Sequence, residues 1–117
     1  MASKEEVLSF LRDFNVKANI WGIVFLDDRA KNSKALALLE ISPIERKQII
    51  KELHLHDFSD GPIKDGMNIG GDLWVFGKMV KNQEVYIKIS MGFSNNPTIC
   101  ISFHLSEYTM IYPYKTI

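Results

Sequence analysis

Cysteine is nearly absent from this 117-residue chain, in which Cys100 stands alone. An internal disulfide and a cysteine-built zinc cluster are thereby excluded, and Cys100 is expected in or beside a sheet core, not as a nucleophile. There is no apolar run approaching 18 residues, and the opening MASKEEVL has no basic region followed by an apolar stretch. Neither a membrane span nor a signal peptide is expected, and the expected location is the cytoplasm. Charge of one sign is missing as well: fourteen basic side chains balance fourteen acidic ones. Proteins that hold nucleic acid through overall charge carry a basic excess, so non-specific RNA or DNA binding is not the expected main activity. A local basic site remains compatible with neutrality. Repeats and disorder-prone tracts are also missing, and the length suits one domain, 1–117, with its own hydrophobic core.

What is present is organised around Gly71 to Tyr112, which reads as an antiparallel meander. Its expected strands are Asp72 to Val80, Val85 to Met91 and Thr98 to His104, with a last run through Met110-Ile111-Tyr112. Lys81-Asn82 and Asn96-Pro97 supply the turns. With a side-chain period of two, Val85, Ile87, Ile89 and Met91 share one face, and Ile99, Ile101 and Phe103 form the matching apolar row. The opposite parity holds Tyr86, Lys88 and Ser90 beside Cys100, Ser102 and His104. Registers that place Tyr86 beside Ser102 or beside His104 both keep this polar row together. An antiparallel sheet commonly has one solvated face on which Lys, Ser and Tyr are ordinary. The residue types set this row apart, because Tyr, Lys and His are proton carriers of metal-free acid/base chemistry.

The remaining elements are read from their caps and stripes. Ser3 and Glu6 form a capping box ahead of an amphipathic helix with Val7, Leu8, Leu11 and Phe14 in its stripe, ending near Asn15. Ile20 to Leu26 reads as a strand buried on both sides, ended by Asp27-Asp28-Arg29. Lys31 to Leu39 reads as a short helix or helical turn. Ser42, Pro43 and Glu45 then start another, which buries Ile44, Ile49, Ile50 and Leu53. His54 and His56 match no metal-ligand spacing and read as solvated or capping residues. Asp57 to Gly71 is expected to be a long loop bordering the sheet. Together these elements predict an α+β domain: an antiparallel sheet of four or more strands with about three helices packed on one face.

The ordered strings IIKEL, Asp57-Phe58, Leu73-Trp74, VYIKI and ISFH, spanning Ile41 to His104, resemble the MqsR-type toxins of bacterial type II toxin–antitoxin pairs. The resemblance implies a RelE-like fold and a metal-independent, cofactor-free mRNA endonuclease. It also implies neutralisation by a cognate antitoxin, a DNA-binding protein encoded by the adjacent gene. Tyr86 in VYIKI matches the family's catalytic tyrosine, and His104 in ISFH stands where the family has a catalytic lysine. The chain departs from the family at Val75, in place of a glutamine, and at Ser59 or Asp60, in place of a lysine; Lys64 or Lys88 is left to supply that positive charge.

RNA cleavage without a metal needs a base for the 2′-hydroxyl, a cation near the phosphorane oxygens and an acid for the leaving 5′-oxygen. His104, Lys88 and Tyr86 fit these roles in that order, and histidine as a residue type suits proton transfer near neutrality. Substrate-binding candidates are Lys64, Asp60, Ser102 and Trp74. Tyr108 to Tyr114 closes with Pro113, as an edge strand or a tail across an edge would, and an antitoxin segment is expected to add to a free edge. The rival reading is a non-catalytic protein-binding module of the same fold. An acid/base enzyme acting on a small molecule has no specific residue pattern behind it.

Overall fold

Helix starts in the computed structural model, which describes residues 1–66 and 70–115, follow their capping sequences. In α1 (Lys4–Trp21) the Glu6 N–H donates to Ser3 Oγ at 3.2 Å, and the Ser3 N–H donates to Glu6 Oε1 at 2.9 Å. The same reciprocal pair, Ser42 with Glu45, opens α3 (Pro43–Lys51). Between them lie β1 (Ile23–Phe25) and α2 (Ala30–Leu39). The chain continues through β2 (Phe58–Ile63), β3 (Leu73–Val80), β4 (Gln83–Ser90) and β5 (Thr98–Leu105).

The strands form one sheet in the order β1-β5-β4-β3-β2, antiparallel except for the parallel pair β1 and β5. Lys81 and Asn82 both take positive φ, 49° and 67°, as a two-residue hairpin between paired Val80 and Gln83 requires. Val7, Phe10, Leu11, Phe14 and Ala18 of α1, Ala35 and Leu39 of α2 and Ile50 of α3 join Phe58, Phe76, Val85, Ile87, Ile89 and Phe103 in one buried cluster. All three helices therefore cover the same face. The fold is α+β, as the sequence predicts.

Several boundaries differ from the sequence reading. Helix α1 does not stop near Asn15; it continues to Trp21, because Ala18 extends the buried stripe of Phe14 by one turn and the Gly22 N–H closes on Ala18 O at 2.8 Å. Ile20 and Trp21 consequently lie exposed on a helix instead of in a buried strand. In α3, Ile44 is 81% exposed and takes no part in the stripe. The span Asp57 to Gly71 is no continuous loop, since β2 occupies Phe58–Ile63 with two register shifts against β3, and residues 67–69 fall outside the described ones. The run Met110-Ile111-Tyr112 forms no strand. Its Met110 N–H is taken by the Glu84 carboxylate, its Ile111 carbonyl by the Ser59 hydroxyl and its Tyr112 carbonyl by the Lys115 N–H, so these groups bond to side chains and a local turn and not to a ladder.

A bulge also divides β5. Lys88 pairs with Ser102 but Ile89 pairs with Cys100, so the row of Phe103 changes parity before Cys100. Cys100 joins the core cluster and Ile99, paired with Ser90, does not. The expected row Ile99, Ile101, Phe103 is therefore broken, and Cys100 leaves the polar row. Burial pushes the Cys100 thiol up to about 12, which keeps it protonated and inert. Beyond the end of β1, the 3% exposed Asn32 replaces a strand partner for β5. Its Nδ2 donates to Ile101 O at 2.7 Å and Leu26 O at 3.0 Å, and its Oδ1 accepts from the Phe103 N–H at 3.0 Å.

Candidate active site on the open face

The antiparallel register fixes which polar side chains meet. Tyr86 pairs with His104, and Lys88 pairs with Ser102, both on the face away from the helices. Of the two registers open from sequence, the structure has the one with Tyr86 beside His104. The two rings stack with centroids 5.3 Å apart and planes 10° apart. The Lys88 ammonium lies 5.8 Å from the centroid of the Tyr86 ring. Tyr86, Lys88, Ser102 and His104 line one open cavity of about 240 Å³, together with Glu107 and Tyr108.

The protonation pattern follows from the surroundings. Burial first, and then the neighbouring Tyr108 and Asp60, raise the Tyr86 phenol above its ordinary value, so it holds its proton at neutral pH and can only give one up under demand. His104 Nδ1 lies 2.9 Å from the Leu105 carbonyl, which can only accept; the neutral ring therefore carries its proton on Nδ1 and presents a lone pair at Nε2. A hydrogen bond from Lys31 at 2.7 Å holds the Glu107 carboxyl below the usual carboxylate range. The arrangement combines a proton acceptor, a proton donor and a fixed positive charge around one opening.

The C-terminal segment forms one wall. Gly77, which pairs with Tyr86, lies under Tyr112 and Met110; a Cβ on Gly77 would run into the Tyr112 hydroxyl and the Met110 sulfur. Glu84 anchors this crossing by accepting from the Met110 N–H at 3.1 Å and from the Tyr112 hydroxyl at 2.7 Å. Tyr108 stands edge-on to Tyr86, with centroids 6.2 Å apart and planes at 68°. Farther on, the Tyr114 hydroxyl donates to Ala2 O at 2.6 Å, while the Ala2 N–H donates to Gly61 O of β2. The segment is thus a tail laid over the open face, tied beside β2.

The other sequence-derived candidates separate. Asp60 pairs with Val75, in the row of Lys88 and Ser102, but does not line the cavity. Lys64 follows β2, is exposed and does not line the cavity either. Lys88 is therefore the cation at the opening. Trp74 lies on the helix-covered face, stacked on Phe10 with centroids 4.4 Å apart and edge-on to Phe58. His54 and His56 flank and enter the short 3₁₀ turn Leu55–Asp57, where the His54 N–H donates to the Asp57 carboxylate. Asp57 also meets Lys78 at 3.3 Å.

Glu107 and Tyr108 are cavity residues that the sequence did not single out, because the tail that carries them is placed by partners distant in sequence, among them Glu84, Gly77, Ser59 and Lys31. No helix among the described residues is long and apolar enough to cross a membrane. No family model matches the chain, and neither the curated proteins nor the solved structures include a match.

Proposed function

We propose that this protein is a metal-independent mRNA endoribonuclease and the toxin of a type II toxin–antitoxin pair. The observation that carries the reading is the meeting of Tyr86, His104, Lys88 and Ser102 at one cavity on adjacent strands. Its resemblance to the MqsR-type toxins, through IIKEL, Leu73-Trp74, VYIKI and ISFH, supplies the substrate class. In the proposed reaction His104 Nε2 takes the proton of a ribose 2′-hydroxyl, and that oxygen attacks the adjacent phosphorus. The Lys88 ammonium offsets the charge that builds on the phosphorane oxygens. The bond from phosphorus to the 5′-oxygen breaks, the Tyr86 phenol protonates that oxygen, and a 2′,3′-cyclic phosphate remains. Solvent then returns the proton from His104 to Tyr86.

The partner in this reading is an antitoxin encoded by the adjacent gene, expected to be a DNA-binding protein that adds a segment along an edge such as β1. Induced expression in a bacterial host, with growth and transcript integrity followed, tests the reading. Growth arrest with cleaved transcripts is expected for the parent, and normal growth with intact transcripts for His104→Ala. A parent that is harmless at high expression, or a variant as toxic as the parent, replaces this reading with the non-catalytic binding module.

A further inference from the structure

His104 borders two more openings beyond the one that holds Tyr86. One, of about 390 Å³, continues across Ser102 to Arg29, Lys31 and Asn32; the other, of about 180 Å³, reaches Lys34 along α2. His104 lines all three, so the openings border one ring from different sides. The basic side chains Arg29, Lys31 and Lys34 are set along one side of this path, whereas the chain as a whole is neutral. Asn32 is occupied by the β5 backbone and serves as wall. Glu107 is the acidic residue lining two of the openings, and its carboxylate is bonded to Lys31. Both side chains of that pair are 60% or more exposed. Exposed pairs of this kind contribute little to stability, so an incoming anion displaces the carboxylate readily.

We propose that these neighbouring openings form a subsite for single-stranded RNA, in which Lys31, with Arg29 and Lys34 beside it, holds a phosphodiester group next to the one at His104. The inference rests on the ribonuclease reading and adds to it a direction: the strand leaves the cleavage cavity over β5 toward α2. It also gives Glu107 a role as the anion that occupies Lys31 until a phosphate arrives.

The probe is a short 2′-O-methyl oligoribonucleotide, which binds as RNA but has no 2′-hydroxyl proton to lose. Its affinity is measured by fluorescence anisotropy over a range of salt concentrations. Each phosphate contact of a single strand contributes about 0.7 to the slope of log affinity against log salt. Lys31→Gln is expected to lower the slope by about 0.7 and the affinity about fivefold at about 0.1 M salt. Lys31→Gln/Lys34→Gln lowers both further, and the exposed Lys4→Gln on α1 serves as the charge control. Slopes that fall equally for Lys4→Gln and Lys31→Gln, or fall for neither, overturn the subsite. Competition by poly-glutamate as strong as by RNA of equal charge overturns its assignment to RNA. If the parent binds the probe with the expected Lys31 dependence but cleaves no RNA, the subsite stands and the nuclease reading fails. A parent that binds no RNA removes both.

Discussion

On the helix-covered face of the sheet, Phe10 of α1 packs with Phe58, Trp74 and Phe76 in a run of stacked and edge-on rings, of which Phe10, Phe58 and Phe76 are buried and Trp74 is half-buried at the margin. On the open face of the same strands, Tyr86, His104 and Tyr108 make similar ring contacts, yet all three stay partly exposed beside Lys88. The aromatic geometry is alike and its consequence differs. A ring packed into the core contributes burial; a ring beside an ammonium and an open cavity keeps a polar atom in reach of solvent. Since β3 and β4 present both kinds of side chain in alternation, the dry face can hold the strands rigid while the wet face carries groups that would destabilise a core. The tail marks the border, covering Gly77 and leaving Tyr86 at the opening.

The largest effect that would sharpen this contrast is expected at Phe76, which is fully buried and pairs with Ile87. Phe76→Ala should cost about 3–5 kcal/mol of unfolding free energy in urea titration. By comparison Tyr86→Phe, one residue pair away on the other face, should stay within about 0.5 kcal/mol of the parent. A Tyr86→Phe loss as large as that of Phe76→Ala would show that the open face is structural.

Next in size is Asn32→Ala. It leaves the Ile101 and Leu26 carbonyls and the Phe103 N–H without their side-chain partner, and is expected to cost about 2–3 kcal/mol by the same titration. A near-neutral result would mean that water replaces the amide at the β5 edge.

Much of the helix-covered face was legible in the sequence, because it rests on local rules. Ser3 with Glu6 and Ser42 with Glu45 cap as their spacing dictates, and Val85, Ile87 and Ile89 keep strict alternation along β4. The polar row Tyr86, Lys88, Ser102 and His104 was legible for the same reason. The bulge was not: an extra residue between Cys100 and Ser102 is set by pairing with β4 and by the Asn32 amide, 69 positions from Ile101 in sequence. Strand β2 was hidden because Gly61, with φ of 131°, and Pro62 read as loop residues, while β3 and the Ala2 N–H supply the pairing that holds them extended. Glu107 and Tyr108 reach the site by a tail whose course depends on Glu84 and on the missing side chain of Gly77, neither of which has a local signature.

The smallest of the structural effects concerns that tail. Gly77→Ala places a methyl where Tyr112 and Met110 lie, and overpacking of this kind costs about 1–3 kcal/mol. The expected sign is faster hydrogen exchange at the Met110 amide, which is bonded to Glu84, with slower change elsewhere in the sheet. Uniform acceleration across β3 and β4 would show that the tail is part of the core and not a cover on it.

Cleavage of a purified single-stranded RNA in excess chelator, with the products separated and their ends identified, tests the division of labour between the faces most directly. The parent is expected to cut and to leave 2′,3′-cyclic phosphate ends at an undiminished rate in chelator. His104→Ala and Tyr86→Phe, both folded, are each expected to be slower by about a hundredfold to ten-thousandfold. No cleavage by the folded parent, or parent-like rates from both variants, would contradict the assignment of catalysis to the open face.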